Sequence, residues 1–93
     1  MSTYLITGSN RGMGLSLCNQ IHNRGDEVIA TCRRSSPELI NLGVRIEENI
    51  DISSEESITN LVKKLSGINL DCIIHNAGIY EFNSLFRISI NKY

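Results

Sequence analysis

The sequence predicts an α/β fold in three layers. A parallel sheet of strand order 3-2-1-4 carries helices on both faces, forming the front half of a doubly wound fold. Three observations predict it. Short apolar runs alternate with segments of helical period, giving the order β-α-β-α-β-α-β. The first run, Tyr4-Leu5-Ile6, leads directly into the glycine-rich stretch Thr7-Gly8-Ser9-Asn10-Arg11-Gly12-Met13-Gly14. The third strand alternates apolar and charged residues, whereas the others are nearly continuous apolar runs, and alternation suits an edge strand with one solvated face. Right-handed crossovers then set the strand order.

Taken in order, Thr3 to Thr7 reads as a buried strand ended by the turn signal at Gly8. Gly12 to about Arg24 is helical: Met13, Leu17 and Ile21 fall four apart, Leu15 and Cys18 widen the stripe, and Gly25 stands at the C-cap. Val28 to Cys32 is the second strand, followed by the basic pair Arg33-Arg34. Ser36-Pro37-Glu38 starts a short helix, with serine at the cap and proline at the first position, that Gly43 ends. Val44 to Ile50 is the alternating strand. Ser53-Ser54-Glu55-Glu56 reads as a capping box, serine at the cap and glutamate three later. The helix behind it places Ile58, Leu61, Val62 and Leu65 on one face and stops at Gly67. Leu70 to His75 is the fourth strand and delivers Asn76-Ala77-Gly78. Residues 81–93 show no single period and read as an irregular tail.

Composition bounds the function. The 93 residues allow one small domain, 1–93, and 41% hydrophobic with 20% charged residues is ordinary for a folded globular chain. A net charge of −1 gives no general attraction to nucleic acid or to anionic membranes. No apolar run approaches the roughly 20 residues of a membrane span, and the N-terminus has no signal-peptide pattern. Cys18, Cys32 and Cys72 form no close pair, which argues against a disulfide framework or a cysteine-based zinc site. They read as reduced, partly buried thiols, and a cytoplasmic location is expected.

The glycine stretch carries the functional signal. Glycine permits close backbone approach and positive φ, and the helix behind it aims unpaired N–H groups at an anion. A strand, a glycine turn and a helix in that order hold the pyrophosphate of a dinucleotide. The spacing is G-x-x-x-G-x-G rather than G-x-G-x-x-G. A triphosphate-binding P-loop is excluded, because no lysine followed by serine or threonine closes the turn. The plain alternative is a tight turn with no ligand.

Thr7-Gly8-x-x-x-Gly12-x-Gly14, Asp51 after the third strand and Asn76-Ala77-Gly78 after the fourth resemble the short-chain dehydrogenase/reductase family, over Thr3 to about Tyr80. Leu5-Ile6-Thr7-Gly8-Ser9-Asn10-Arg11-Gly12 and Val28-Ile29-Ala30-Thr31-Cys32-Arg33 are most similar to its carbonyl-reductase-like members. The resemblance implies a Rossmann-like sheet, incomplete here, and an oxidoreductase acting on a carbonyl/alcohol pair. It implies that Gly8, Ser9, Asn10, Arg11, Gly12, Met13 and Gly14 bind cofactor. Asp51 and Ile52 would contact the adenine ring, and Asn76, Ala77 and Gly78 would line the cofactor cleft. His75 stands where the family commonly has asparagine and reads as a core histidine.

Charge selects the cofactor. NAD-preferring proteins place an acid at the end of the second strand for the ribose 2′-hydroxyl. Here Cys32-Arg33-Arg34 stands there, and arginine suits a 2′-phosphate. Arg33 is the first candidate and Arg11 a second, so NADP(H) is expected. The family's proton donor, a tyrosine with a lysine four residues on, is missing: Tyr4 is followed by Gly8, Tyr80 by Ser84, and Tyr93 is the last residue. The chain is therefore expected to be inactive alone. It reads as part of a longer reductase, as a non-catalytic dinucleotide-binding or regulatory module, or as a chain completed by another polypeptide. The nearly uncharged run Leu70-Asp71-Cys72-Ile73-Ile74 would otherwise leave an open sheet edge, which favours association.

Overall fold

The computed structural model describes residues 1–51 and 53–76. The elements are β1 (Thr3–Ile6), α1 (Gly12–Asn23), β2 (Glu27–Thr31), α2 (Pro37–Leu42), β3 (Arg45–Glu47), α3 (Glu55–Lys64) and β4 (Cys72–Ile74). The sheet order is β3-β2-β1-β4 and every pairing is parallel, so the Rossmann-like half-sheet and the edge position of β3 are both found. Leu5 at the centre is in register with Ile29 of β2 and Ile73 of β4.

Successive strand residues point to opposite faces, and the core divides accordingly. Leu5 and Ile29 pack with Ile50, Ile58, Leu61, Val62 and Leu65 under α3. Ile6, Val28 and Ala30 pack with Cys18, Ile21, Cys32 and Leu39 under α1 and α2. Leu5, Ile58 and Leu61 are fully buried, and removing each side chain from water contributes about 1.5–3 kcal/mol. No helix among the described residues is long and apolar enough to cross a membrane.

Several local expectations shift. Met13 is 71% exposed, and the buried face of α1 runs instead through Gly14, Cys18 and Ile21. The first turn of α1 is pressed against the glycine loop, so a glycine rather than an apolar side chain faces inward there. The expected strand Val44–Ile50 shortens to three residues, because Asn49 adopts a left-handed conformation (φ 62°) and turns the chain. Pairing resumes irregularly beyond it: Asn49 N donates to Arg33 O at 3.0 Å and Ile50 N to Cys32 O at 3.1 Å.

The cap of α3 is Ser54, whose side chain accepts from Ser57 N, rather than Ser53 with Glu56. Ser53 is committed to Asp51, donating to its Oδ1 from both backbone and hydroxyl. The expected strand Leu70–His75 contracts to Cys72–Ile74. Asp71 N donates to Thr3 O at 2.9 Å, and Asp71 Oδ2 accepts from Thr3 N at 2.7 Å. Cys18 and Cys32 are buried, but Cys72 is exposed on the end strand β4. The expected irregular tail, 81–93, lies outside the described residues.

Candidate functional site

The carboxyl ends of β1, β2 and β4 converge on the turn between β1 and α1. Gly8 has φ 62° and lies against the backbone of Asn76. Gly14 allows no substitution: a Cβ there would overlap the Gly8 carbonyl oxygen and lie 2.8 Å from Asn76 Nδ2. These glycines let the first turn of α1 settle onto the loop. At Gly12 (φ 60°) a Cβ would meet nothing within 4 Å, so the space above the helix start is open.

Side chains tie the turn to the sheet. Ser9 is fully buried, its Oγ donating to Ile6 O at 2.7 Å and its N–H to Thr31 O at 3.2 Å. Both of its donors are thus used internally, and Ser9 shapes the turn rather than presenting a group to a ligand. Asn76, directly after β4, donates from its backbone N to Thr7 Oγ1 at 2.9 Å and from Nδ2 to Gly8 O at 3.3 Å. Thr7 N donates in turn to Ile74 O at 3.1 Å. Burial raises the Cys18 thiol pKa, partly offset by hydrogen bonding with Ser9, so this thiol is a packing group.

The start of α1 carries no side-chain cap. Its N-cap, Arg11, is extended and makes no side-chain capping bond, and no acidic residue occupies the first turn. The helix therefore offers uncapped N–H groups at its positive end. Arg11 is exposed and Asn10 half-buried in the turn. Among the described residues neither Arg11 nor Arg34 makes an ion pair. An open space above Gly12, an uncapped helix start and a turn closed by glycines fit the pyrophosphate of a dinucleotide.

Arg33 leaves the end of β2 with its side chain 73% exposed, and its Nη2 donates to Asp51 Oδ1 at 3.0 Å. Hydrogen bonds from the Ser53 hydroxyl and backbone, then the Arg33 guanidinium, hold the Asp51 carboxyl down at about 2. The Asp51 backbone N–H donates to Ser57 Oγ at 2.8 Å. Sequence reasoning missed that β3 returns acids to this basic corner: beside Asp51, Glu48 Oε2 accepts from Ser35 N at 2.8 Å. Only folding brings residues 13 and 18 positions apart together. Of the other expected site residues, Ile52, Ala77 and Gly78 lie outside the described residues.

A cavity of about 510 Å³ lies elsewhere, at the amino ends of the strands between Thr3, Asp26, Glu27 and Arg45.

A parallel sheet with a glycine-rich turn between its first strand and first helix, at the carboxyl ends of the strands, is the arrangement of dinucleotide-binding α/β folds. The family model described as short chain dehydrogenase matches residues 2–92, and the chain belongs to that family. It is 38% identical over 81 residues to 1-hydroxy-2-glutathionyl-2-methyl-3-butene dehydrogenase of Rhodococcus sp. (strain AD45), covering 85% of this chain and 36% of the relative. It is 30% identical over 88 residues to (+)-neomenthol dehydrogenase of Arabidopsis thaliana, covering 81% and 30%. Among solved structures, a putative short-chain dehydrogenase/reductase from Burkholderia multivorans with bound NADP aligns at a TM-score of 0.76. That alignment has 34% identity and covers 83% of this chain and 36% of the other. The chain thus spans about a third of the length of these three proteins.

Proposed function

We propose that this chain is the cofactor-binding half-domain of an NADP(H)-dependent oxidoreductase acting on a carbonyl/alcohol pair. The observation that carries this reading is the glycine turn locked onto Asn76, with an uncapped α1 start beside it and Arg33 at the end of β2. Gly8 to Gly14 would hold the pyrophosphate through backbone donors, with Ser9 acting by position. Arg33, aided by Arg11, would take the 2′-phosphate, Asp51 and Ile52 the adenine, and Asn76, Ala77 and Gly78 the wall of the cleft. When bound, the nicotinamide supplies or accepts a hydride. The work of this chain's residues is to bind and orient. The proton donor and the substrate-shaping residues would come from a C-terminal half or from another polypeptide, in a cytoplasmic enzyme that works as a homo-oligomer. The NADP bound in the Burkholderia multivorans structure supports the cofactor preference.

A second reading is a non-catalytic dinucleotide-binding or regulatory module, favoured by the absence of Tyr-x-x-x-Lys from the 93 residues. Titration with NADPH and NADH tests the cofactor. Tighter NADPH binding, lost in Arg33→Asp, is expected; tighter NADH binding, or an unchanged preference in that variant, overturns it. Assay of NADPH oxidation with aldehydes and ketones separates the two readings. The 93-residue chain should turn nothing over, while a version joined to its catalytic half should.

A further inference from the structure

Arg33 and Asp51 meet at one corner from different strands, and they are not equally movable. The Asp51 carboxylate is fixed: Oδ1 accepts from Ser53 N at 3.0 Å and Ser53 Oγ at 2.6 Å, and the Asp51 backbone N–H is tied to Ser57. The Arg33 backbone is held through its carbonyl by Asn49 N, but its side chain is 73% exposed and makes its 3.0 Å bond to Asp51 through Nη2 alone. Arg33 is therefore a mobile cation resting on a fixed anion. The corner that reads as basic in the sequence also holds acids: Asp51 pairs with Arg33, and Glu48 accepts from the Ser35 backbone N–H.

We propose that Asp51 is an internal competitor for Arg33: its carboxylate holds the guanidinium that a ribose 2′-phosphate would engage, and so limits discrimination between 2′-phosphorylated and unphosphorylated adenosine ligands. The inference rests on Arg33 being the 2′-phosphate residue. A phosphate prefers a two-point grip on the guanidinium, and forming it draws Nη2 away from Asp51. An unphosphorylated ribose leaves the ion pair intact. The competition therefore acts on one ligand and not on the other. Its size is bounded by the worth of an exposed ion pair, at most about fivefold in an equilibrium constant. Asp51 remains charged at every working pH, because Ser53 and Arg33 hold its carboxyl low.

The test uses adenosine 2′,5′-bisphosphate and 5′-AMP, titrated calorimetrically into the wild-type chain, Asp51→Asn, Arg33→Ala and the double variant. Comparing the ratio of the two affinities cancels any loss of adenine binding that both ligands share. Asp51→Asn should raise the preference for the bisphosphate by about two- to fivefold. Arg33→Ala should lower that preference, and adding Asp51→Asn to Arg33→Ala should change nothing. An unchanged ratio in Asp51→Asn overturns the inference while leaving Arg33 as the phosphate residue. So does the same rise persisting without Arg33, which would mark plain repulsion between Asp51 and phosphate. If the wild type does not prefer the bisphosphate and Arg33→Ala has no effect, the 2′-phosphate reading fails and takes the inference with it.

Discussion

Gly14 packs against Gly8 so closely that a Cβ at position 14 would overlap the Gly8 carbonyl oxygen, with Asn76 Nδ2 2.8 Å away. Helix α1, the glycine turn and the residue after β4 are thereby joined at one point. The turn is a three-element joint, built from backbone on two sides and an asparagine side chain on the third.

Gly14→Ala should destabilise the chain by at least about 1–3 kcal/mol, the usual cost of overpacking, and abolish dinucleotide binding. Gly12→Ala has open space and meets only the backbone penalty of its positive φ, about 1–2 kcal/mol. Urea unfolding of both variants checks the order. Equal costs would show that the joint is looser than described.

Asn76→Ala removes the bond to Gly8 O but keeps the backbone bond to Thr7 Oγ1. A loss of about 1 kcal/mol is expected, with a larger fall in NADPH affinity, since the turn is the proposed binding element. Thr7→Val deletes the acceptor for Asn76 N at a fully buried position, and about 1–3 kcal/mol should be lost. Denaturation and cofactor titration on the same samples separate the two effects.

Asp51 should titrate with a midpoint of about 2, below its ordinary value of 3.8. Because the folded value is depressed, the bonds to Ser53 and Arg33 contribute their full stability above the unfolded value near 3.8. That contribution is lost as the pH falls through about 2. Carboxyl NMR shifts followed from neutral pH downward will read the midpoint directly. A midpoint near 4 would mean that these bonds do not persist in solution.

Leu61 is fully buried under β1 and β2, whereas Ile40 is 59% exposed on α2. Leu61→Ala should cost about 2–5 kcal/mol, and Ile40→Ala should change stability by no more than about 0.5 kcal/mol. Chemical denaturation will distinguish them, and comparable losses would contradict the placement of α3 on the sheet.

Thiol labelling under native conditions should be fast at Cys72 and slow at Cys18 and Cys32, which are 0% and 5% exposed. Burial also raises both of the inner thiols' pKa values, which suppresses the reactive thiolate. Mass spectrometry of peptides after a brief exposure to maleimide reads this. Early modification of Cys18 would indicate that α1 opens readily.

The strand order was legible because each signal was local: apolar runs, a glycine turn, and the alternation of Val44, Ile46 and Ile50. What stayed hidden depends on contacts made at a distance. Met13 fits an apolar stripe, but the joint with Gly8 turns α1 so that Gly14 faces inward. Ser53 has the right spacing to cap α3, yet Asp51 claims it and Ser54 takes the cap. Ser9 looks like a ligand-facing hydroxyl in a phosphate loop, but Ile6 and Thr31 use both of its donors. Asp51, which pairs with Arg33, and Glu48, which accepts from Ser35 N, lie 18 and 13 residues from those partners and arrive only once β3 pairs with β2.

The register of Leu5 with both Ile29 and Ile73 has a consequence for biosynthesis. Strand β1 is made before the other three, yet one of its two hydrogen-bonding edges waits for a partner made some seventy residues later, the separation of 68 between Thr3 and Asp71. At about 5–20 residues per second that wait lasts several seconds. Throughout it, Tyr4-Leu5-Ile6 is an apolar edge available to chaperones, and the glycine turn cannot acquire its brace from Asn76. The proposed dinucleotide site is thus complete only with the fourth strand and the asparagine that follows it.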